Sequence, residues 1–165
     1  MANYTKVKNC RVCGFDELIE LFYLKPQFIA STFVKSNKNN PKSKIKIPMT
    51  ILLCDQCGLV QLEETVNPDL LYSQYFYRSN VSDTMKRDLQ DVVDSVCKLA
   101  PNANSALDIG CNDGLMMTMF PKNIGVLGID PAENIEPINK QVMIIRDYFP
   151  SSNLMPGEKY DIITS

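Results

Sequence analysis

Ala106-Leu107-Asp108-Ile109-Gly110-Cys111-Asn112-Asp113-Gly114 is the stretch whose reading decides the fold. An apolar run ends in an acid and passes into a loop with glycines at 110 and 114. GLMMTMF (114–120) then reads as the start of a helix. Gly110 lets the backbone pass close beneath a ligand, and Gly114 allows a tight entry into the helix. Asp108, at the strand's C-terminal end, is placed to accept a hydrogen bond from a cationic amino group.

Outward from this loop, strand and helix signals alternate. SALDIG (105–110), IGVLGID (124–130), VMII (142–145) and YDIITS (160–165) read as strands. PAENIEPINK (131–140) has helical composition despite Pro137. Such alternation implies βαβ units on a parallel sheet. Asp130 ends the second strand, twenty-two residues after Asp108. A carboxylate there can take both ribose hydroxyls of a nucleoside cofactor. A nicotinamide-binding fold would need GxGxxG, and this loop has GxxxG after an acid. The pair Asp108 and Asp130 therefore points to S-adenosylmethionine, with Asp108 meeting its methionine amino group. Asp147, after the third apolar run, is either an adenine contact or a simple loop acid.

Upstream, Met85, Leu89, Val92, Val93, Val96 and Leu99 recur at helical spacing behind Ser82 and Asp83, so a helix is expected from about 82 to 100. Further upstream lie short apolar runs between two cysteine pairs. Cys10-Arg11-Val12-Cys13 and Cys54-Asp55-Gln56-Cys57 are each followed by glycine, Gly14 and Gly58. Two thiolates three residues apart can curl around one ion when the backbone turns sharply. Two such knuckles make a closed tetrahedral zinc site, which stabilises structure and leaves no position for a reacting water. The 40 residues between the pairs require an insertion that folds between them. A redox pair needs only one CxxC, and a cytosolic disulfide is disfavoured. Cys97 and Cys111 read as free thiols.

Charge is uneven. Residues 1–53 carry nine basic and three acidic side chains, and the remainder carry eight and sixteen, for a net charge of −2. Lys35, Lys38, Lys42, Lys44 and Lys46 form either a solvated loop or a surface for a phosphorylated substrate or nucleic acid. The opening residues MANYTKVKNC hold no signal-peptide core, and no run approaches a membrane span, so cytoplasmic location is expected. There is no histidine, so these residues supply no imidazole base.

CRVCG (10–14), IPMTILLCDQCGLVQL (47–62), LYSQYFYRSN (71–80), LDIGCNDG (107–114) and GIDPAENI (128–135) occur in an order that resembles one family. It is the S-adenosylmethionine-dependent sugar C-methyltransferases with an N-terminal zinc-binding domain, which act on nucleotide-linked keto-sugars. The resemblance implies zinc at Cys10, Cys13, Cys54 and Cys57, and cofactor contacts from Asp108, Gly110, Asn112, Gly114 and Asp130. The family's Y-x-Y-x-S segment falls on Tyr75, Tyr77 and Ser79, and the resemblance places such tyrosines near the acceptor sugar. A phenol can donate to the enolate oxygen that develops when a carbon beside a ketone is methylated. A packing cluster of Tyr72, Tyr75, Phe76 and Tyr77 is an equal reading, and the two are compatible.

Family members are far longer, and a His-containing segment would follow the strand that YDIITS begins. The expected architecture is thus α/β: a zinc-ribbon-like lobe (1–62), a connecting helical segment (63–100), and an incomplete Rossmann-like class I methyltransferase domain with a parallel sheet (101–165). The expectation is an inactive fragment that takes a nucleotide-sugar but neither nucleic acid nor membrane. Methylation of another small molecule, or a non-catalytic zinc module binding a partner, are the alternatives. The overall acidity argues against nucleic acid, and cofactor motifs do not specify an acceptor.

Overall fold

A computed structural model describes residues 2–30 and 45–165. Lys35, Lys38, Lys42 and Lys44 lie outside the described residues. The chain divides into two compact units, Met1–Tyr72 and Ser73–Ser165.

The first unit is built from short antiparallel strands. Leu18–Tyr23 (β2) pairs with Thr50–Cys54 (β5), which pairs with Val60–Leu62 (β6). Tyr4–Lys6 (β1) pairs with Glu64–Val66 (β7), and Gln27–Phe28 (β3) with Lys46–Ile47 (β4). A one-turn helix, Pro68–Tyr72 (α1), ends the unit. The apolar interior formed by its described residues is very small. Among the described residues only Cys10, Ile47, Leu52 and Cys54 are buried hydrophobics, so something besides burial must hold it together.

The second unit opens with the segment leading to helix Asp83–Leu99 (α2). Ser82 caps it, its hydroxyl accepting from the Met85 N–H at 3.4 Å, and Asp83 and Lys98 sit at the ends that the helix dipole favours. Val93 anchors its inner face against Ala106, Met116, Phe120, Ile124 and Ile162. Ser105–Ile109 (β8), Gly125–Ile129 (β9), Ile144–Ile145 (β10) and Ile162–Thr164 (β11) form a parallel sheet in the order β10-β9-β8-β11. The chain starts at the centre, moves outward through β9 and β10, then crosses to the far side of β8. That is Rossmann-like topology with a switch point between β8 and β11. Asp161 secures the opposite end of this junction, accepting from the backbone N–H groups of Asn104 and Ser105 and from the Ser105 hydroxyl.

Two helical expectations are corrected. GLMMTMF forms only a 3-10 turn, Met116–Met119. PAENIEPINK forms turns and no helix. An interior Pro137 removes a helix hydrogen bond and its ring clashes with the preceding turn. Near the segment's end Asn139 Oδ1 accepts from Gln141 N–H at 2.8 Å, a local turn in place of a helical one. Among the described residues no helix is long and apolar enough to cross a membrane.

Candidate metal centre and cofactor crevice

The two cysteine knuckles have matching backbones. Gly14 N–H donates to Cys10 O and Gly58 N–H to Cys54 O, both at 3.0 Å, while φ is +77° at Gly14 and +74° at Gly58. Each first cysteine is fastened from the far side of its turn, Cys10 N–H to Phe15 O and Cys54 N–H to Leu59 O. The chain thereby brings four sulfurs together, all within 4.8 Å of one another. Cys10 Sγ lies 3.6 Å from Cys57 Sγ, and Cys13 Sγ lies 3.6 Å from Cys54 Sγ. A disulfide would need about 2 Å, whereas four sulfurs on a zinc ion at about 2.3 Å sit roughly 3.8 Å apart.

The clustered thiols shift one another's acidities in opposite directions. Backbone N–H groups of Cys13 and Val12 aim at Cys10 and lower its pKa to about 6. At Cys13 the Phe15 N–H also lowers, but burial and the neighbouring thiols outweigh it and push the group up to about 12. Four thiolates this close repel one another unless a cation joins them. The donor set is that of a soft, tetrahedral, structural ion.

In the second unit, a crevice of ≈330 Å³ opens at the switch point between β8 and β11. Its lining includes Asp108, Gly110, Cys111, Thr164 and Ser79, with Leu89 and Val92 of α2. Asp108 is buried, and among the described residues its hydrogen-bond partner is the Thr164 hydroxyl, which donates to Oδ1 at 2.9 Å. Burial, countered by Thr164 and reinforced by the charge of Asp130, raises the Asp108 carboxyl to about 6. A buried acid facing a cavity favours a cationic or hydrogen-donating ligand, which restores its charged form. Beside it, an added Cβ at Gly110 would meet nothing within 4 Å. The glycine thus leaves open space where a ligand can lie against the backbone.

Asn112, Gly114, Asp130, Tyr75 and Tyr77 are not among the residues that line this crevice. Asp130 accepts the Asn112 N–H on one carboxylate oxygen and the Ala132 N–H on the other, each at 2.8 Å. A carboxylate has about four lone-pair sites, so capacity for ribose hydroxyls remains. Asn112, at φ +55°, directs its side chain to the Tyr75–Ser79 segment: Nδ2 donates to Tyr77 O and Oδ1 accepts from Ser79 N–H. Asp147 is engaged within its own loop, where the Ser151 hydroxyl and then the Tyr148 N–H hold its carboxyl below the usual range. Cys111 is buried and pushed up to about 12 by that burial, so it is an inert thiol. Tyr75, Phe76 and Tyr77 form a run of contacting rings, with centroids 5.6 and 6.4 Å apart.

Gly114 shows how tightly the loop is built. A Cβ there would lie 2.3 Å from Val142 Cγ1 and 3.3 Å from Met117 Sδ, at φ +76°. Gly114→Ala combines left-handed strain with overpacking and is expected to cost about 2–4 kcal/mol of stability in denaturant titration. Gly110→Ala, with open space around it, is expected to cost only about 1–2 kcal/mol. A cost at Gly114 no greater than at Gly110 would contradict this packing.

Residues 10–72, less than half of the chain, match the family described as "Putative zinc binding domain". The chain is similar there to that zinc-binding domain. It is also 23% identical over 133 residues to "C-methyltransferase NovU" of Streptomyces niveus, covering 78% of this chain and 31% of that relative. The chain therefore spans about a third of that relative's length. The match to the zinc-binding domain contains all four cysteines of the metal centre, and the alignment to NovU is too long to be confined to that lobe.

Sequence reasoning missed Asp113 and Asn134. Asp113 is buried, with Oδ1 accepting from Leu115 N–H and Oδ2 from Asn80 N–H. Asn134 pairs with the Tyr75 backbone in both directions. Both stand inside the quoted motifs NDG and PAEN, but their partners at Asn80 and Tyr75 are too distant in sequence for spacing to disclose.

Proposed function

We propose that the crevice between β8 and β11 binds S-adenosylmethionine, and that the protein C-methylates a nucleotide-linked keto-deoxysugar. The observation that carries this reading is Asp108, a buried carboxyl raised to about 6 that lines the crevice beside the open backbone of Gly110. Asp108 would hold the cofactor's amino group, Gly110 would let it lie close to the loop, and Asp130 would receive its ribose. The cofactor, when bound, supplies an electrophilic methyl group on a sulfonium. The chain's residues then have to position an acceptor carbon in line and exclude water. Tyr75 and Tyr77 would donate a phenolic proton to the ketone oxygen as enolate character develops. Zinc at Cys10, Cys13, Cys54 and Cys57 would be structural. Proton removal from the acceptor carbon has no imidazole to call on among these 165 residues.

Likeness to a C-methyltransferase supports carbon as the acceptor, and the tyrosine segment supports a keto-sugar over other small molecules. The expected result of calorimetry on the zinc-loaded chain is one-to-one binding of S-adenosylhomocysteine and none of NAD. Turnover of a nucleotide-linked keto-sugar by these residues alone is not expected. Preference for NAD, or no nucleoside binding at all, would sink the reading.

A further inference from the structure

The backbone of Tyr75–Asn80 is gripped by three side chains from two loops of the cofactor side. Asn134, in the loop after β9, donates Nδ2–H to Tyr75 O at 2.7 Å and accepts Tyr75 N–H on Oδ1 at 2.8 Å. Its amide thus imitates one rung of a β-ladder. Asn112, in the glycine loop, donates to Tyr77 O at 3.0 Å and accepts Ser79 N–H at 3.1 Å. Asp113 Oδ2 accepts Asn80 N–H at 3.3 Å. Around these, Glu133 N–H donates to Ser73 O and Arg78 Nη2 to Asn134 O.

The grips fall at 75, 77, 79 and 80, and all are to backbone atoms. Backbone recognition fixes the path of the segment while leaving its side chains to other tasks. The loops that do the gripping are themselves tied together, because Asp130 accepts the Asn112 N–H. Ser79 lines the crevice beside Asp108 and Gly110. One continuous hydrogen-bonded network therefore runs from the ends of β8 and β9 to the tyrosine segment.

We propose that Asn112, Asp113 and Asn134 are positioning residues that hold the Tyr75–Asn80 segment on the cofactor loops, so that crevice and tyrosine segment form one organised site. The identity of the ligands rests on the function proposed above; the gripping does not. A ligand that settles on the glycine loop tightens the grip, and a segment that is gripped completes the crevice wall at Ser79.

Hydrogen exchange on the zinc-loaded chain, corrected for intrinsic rates, tests this with and without S-adenosylhomocysteine. Asn134→Ala should lower protection at Tyr75 by roughly 5- to 150-fold, the loss of two hydrogen bonds, with β8 and α2 unchanged. Asn112→Gly keeps the positive φ without the side chain and should do the same at Ser79. Asn134→Asp keeps the acceptor, lacks the donor at neutral pH and regains it when protonated, so its protection should recover as pH falls below about 4, where that of Asn134→Ala does not. Both deletions should weaken S-adenosylhomocysteine, although Asn134 is remote from the crevice lining. Unchanged exchange at Tyr75 and Ser79, no acid recovery in Asn134→Asp, or undiminished ligand affinity would overturn the proposal. Altered exchange together with no binding by the unsubstituted chain would instead remove the proposed function, and with it the claim of a single organised site.

Discussion

Cys54→Ser is expected to abolish zinc binding and unfold Met1–Tyr72, while the helix Asp83–Leu99 keeps its circular dichroism. Cys54 is fully buried, and it belongs to a unit with only four buried hydrophobic residues among those described, two of them ligands. So small an interior cannot offset the conformational entropy of about seventy residues. Structural zinc contributes apparent binding free energies of about 10–16 kcal/mol, and folding draws on them directly. Losing one thiolate of four removes a large share. Chelation should reproduce the effect in the unsubstituted protein, and readdition of zinc should reverse it. Protease resistance of the first unit after metal removal would show that burial alone suffices.

The second large effect concerns Asp108, where stability and binding should move in opposite directions. Its carboxyl is raised from 3.8 to about 6, chiefly by burial. Below about pH 4 it is protonated in folded and unfolded chains alike. Between about 4 and 6 the folded chain holds a proton that the unfolded chain has released, so stability falls as pH rises through this window and levels off above it. The shift corresponds to about 3 kcal/mol at neutral pH, to order of magnitude. Asp108→Asn keeps an acceptor for Thr164 and removes the buried charge. It should therefore flatten the pH dependence and stabilise the second unit at pH 7 by about 2–3 kcal/mol. The same change should weaken S-adenosylmethionine by roughly 10- to 150-fold, the loss of one hydrogen bond to a charged group. A variant that is both less stable and equally able to bind would show Asp108 to be an ordinary core acid.

The metal centre was fully legible because its chemistry is local. Two CxxC-Gly segments each encode their own turn, and thiolates have few other uses at that spacing. Helix α2 was legible for a similar reason: its cap, first-turn acid and apolar repeat all agree within one segment. The parallel sheet could be inferred from apolar runs that end in Asp108 and Asp130, since strand-end acids flanking a glycine loop restrict the topology. The PAENIEPINK segment was misread because composition counts residues without regard to where their side chains bond. Asn134 spends both ends of its amide on the backbone of Tyr75, fifty-nine residues away in sequence, which composition does not disclose. Asn112 illustrates the same limit. Its place in the glycine loop marked it as a ligand contact, while its side chain reaches Tyr77, thirty-five residues away in sequence.

The most direct test of the account is a titration of isotope-labelled, zinc-loaded chain with S-adenosylhomocysteine, followed through the backbone amide resonances. The account predicts saturable shifts at Gly110, Cys111, Ser79 and Thr164, and none of them in Asp108→Asn. Absence of saturable shifts, or shifts confined to a different cavity, one lined by Met117, Phe120 and Val142, would contradict it.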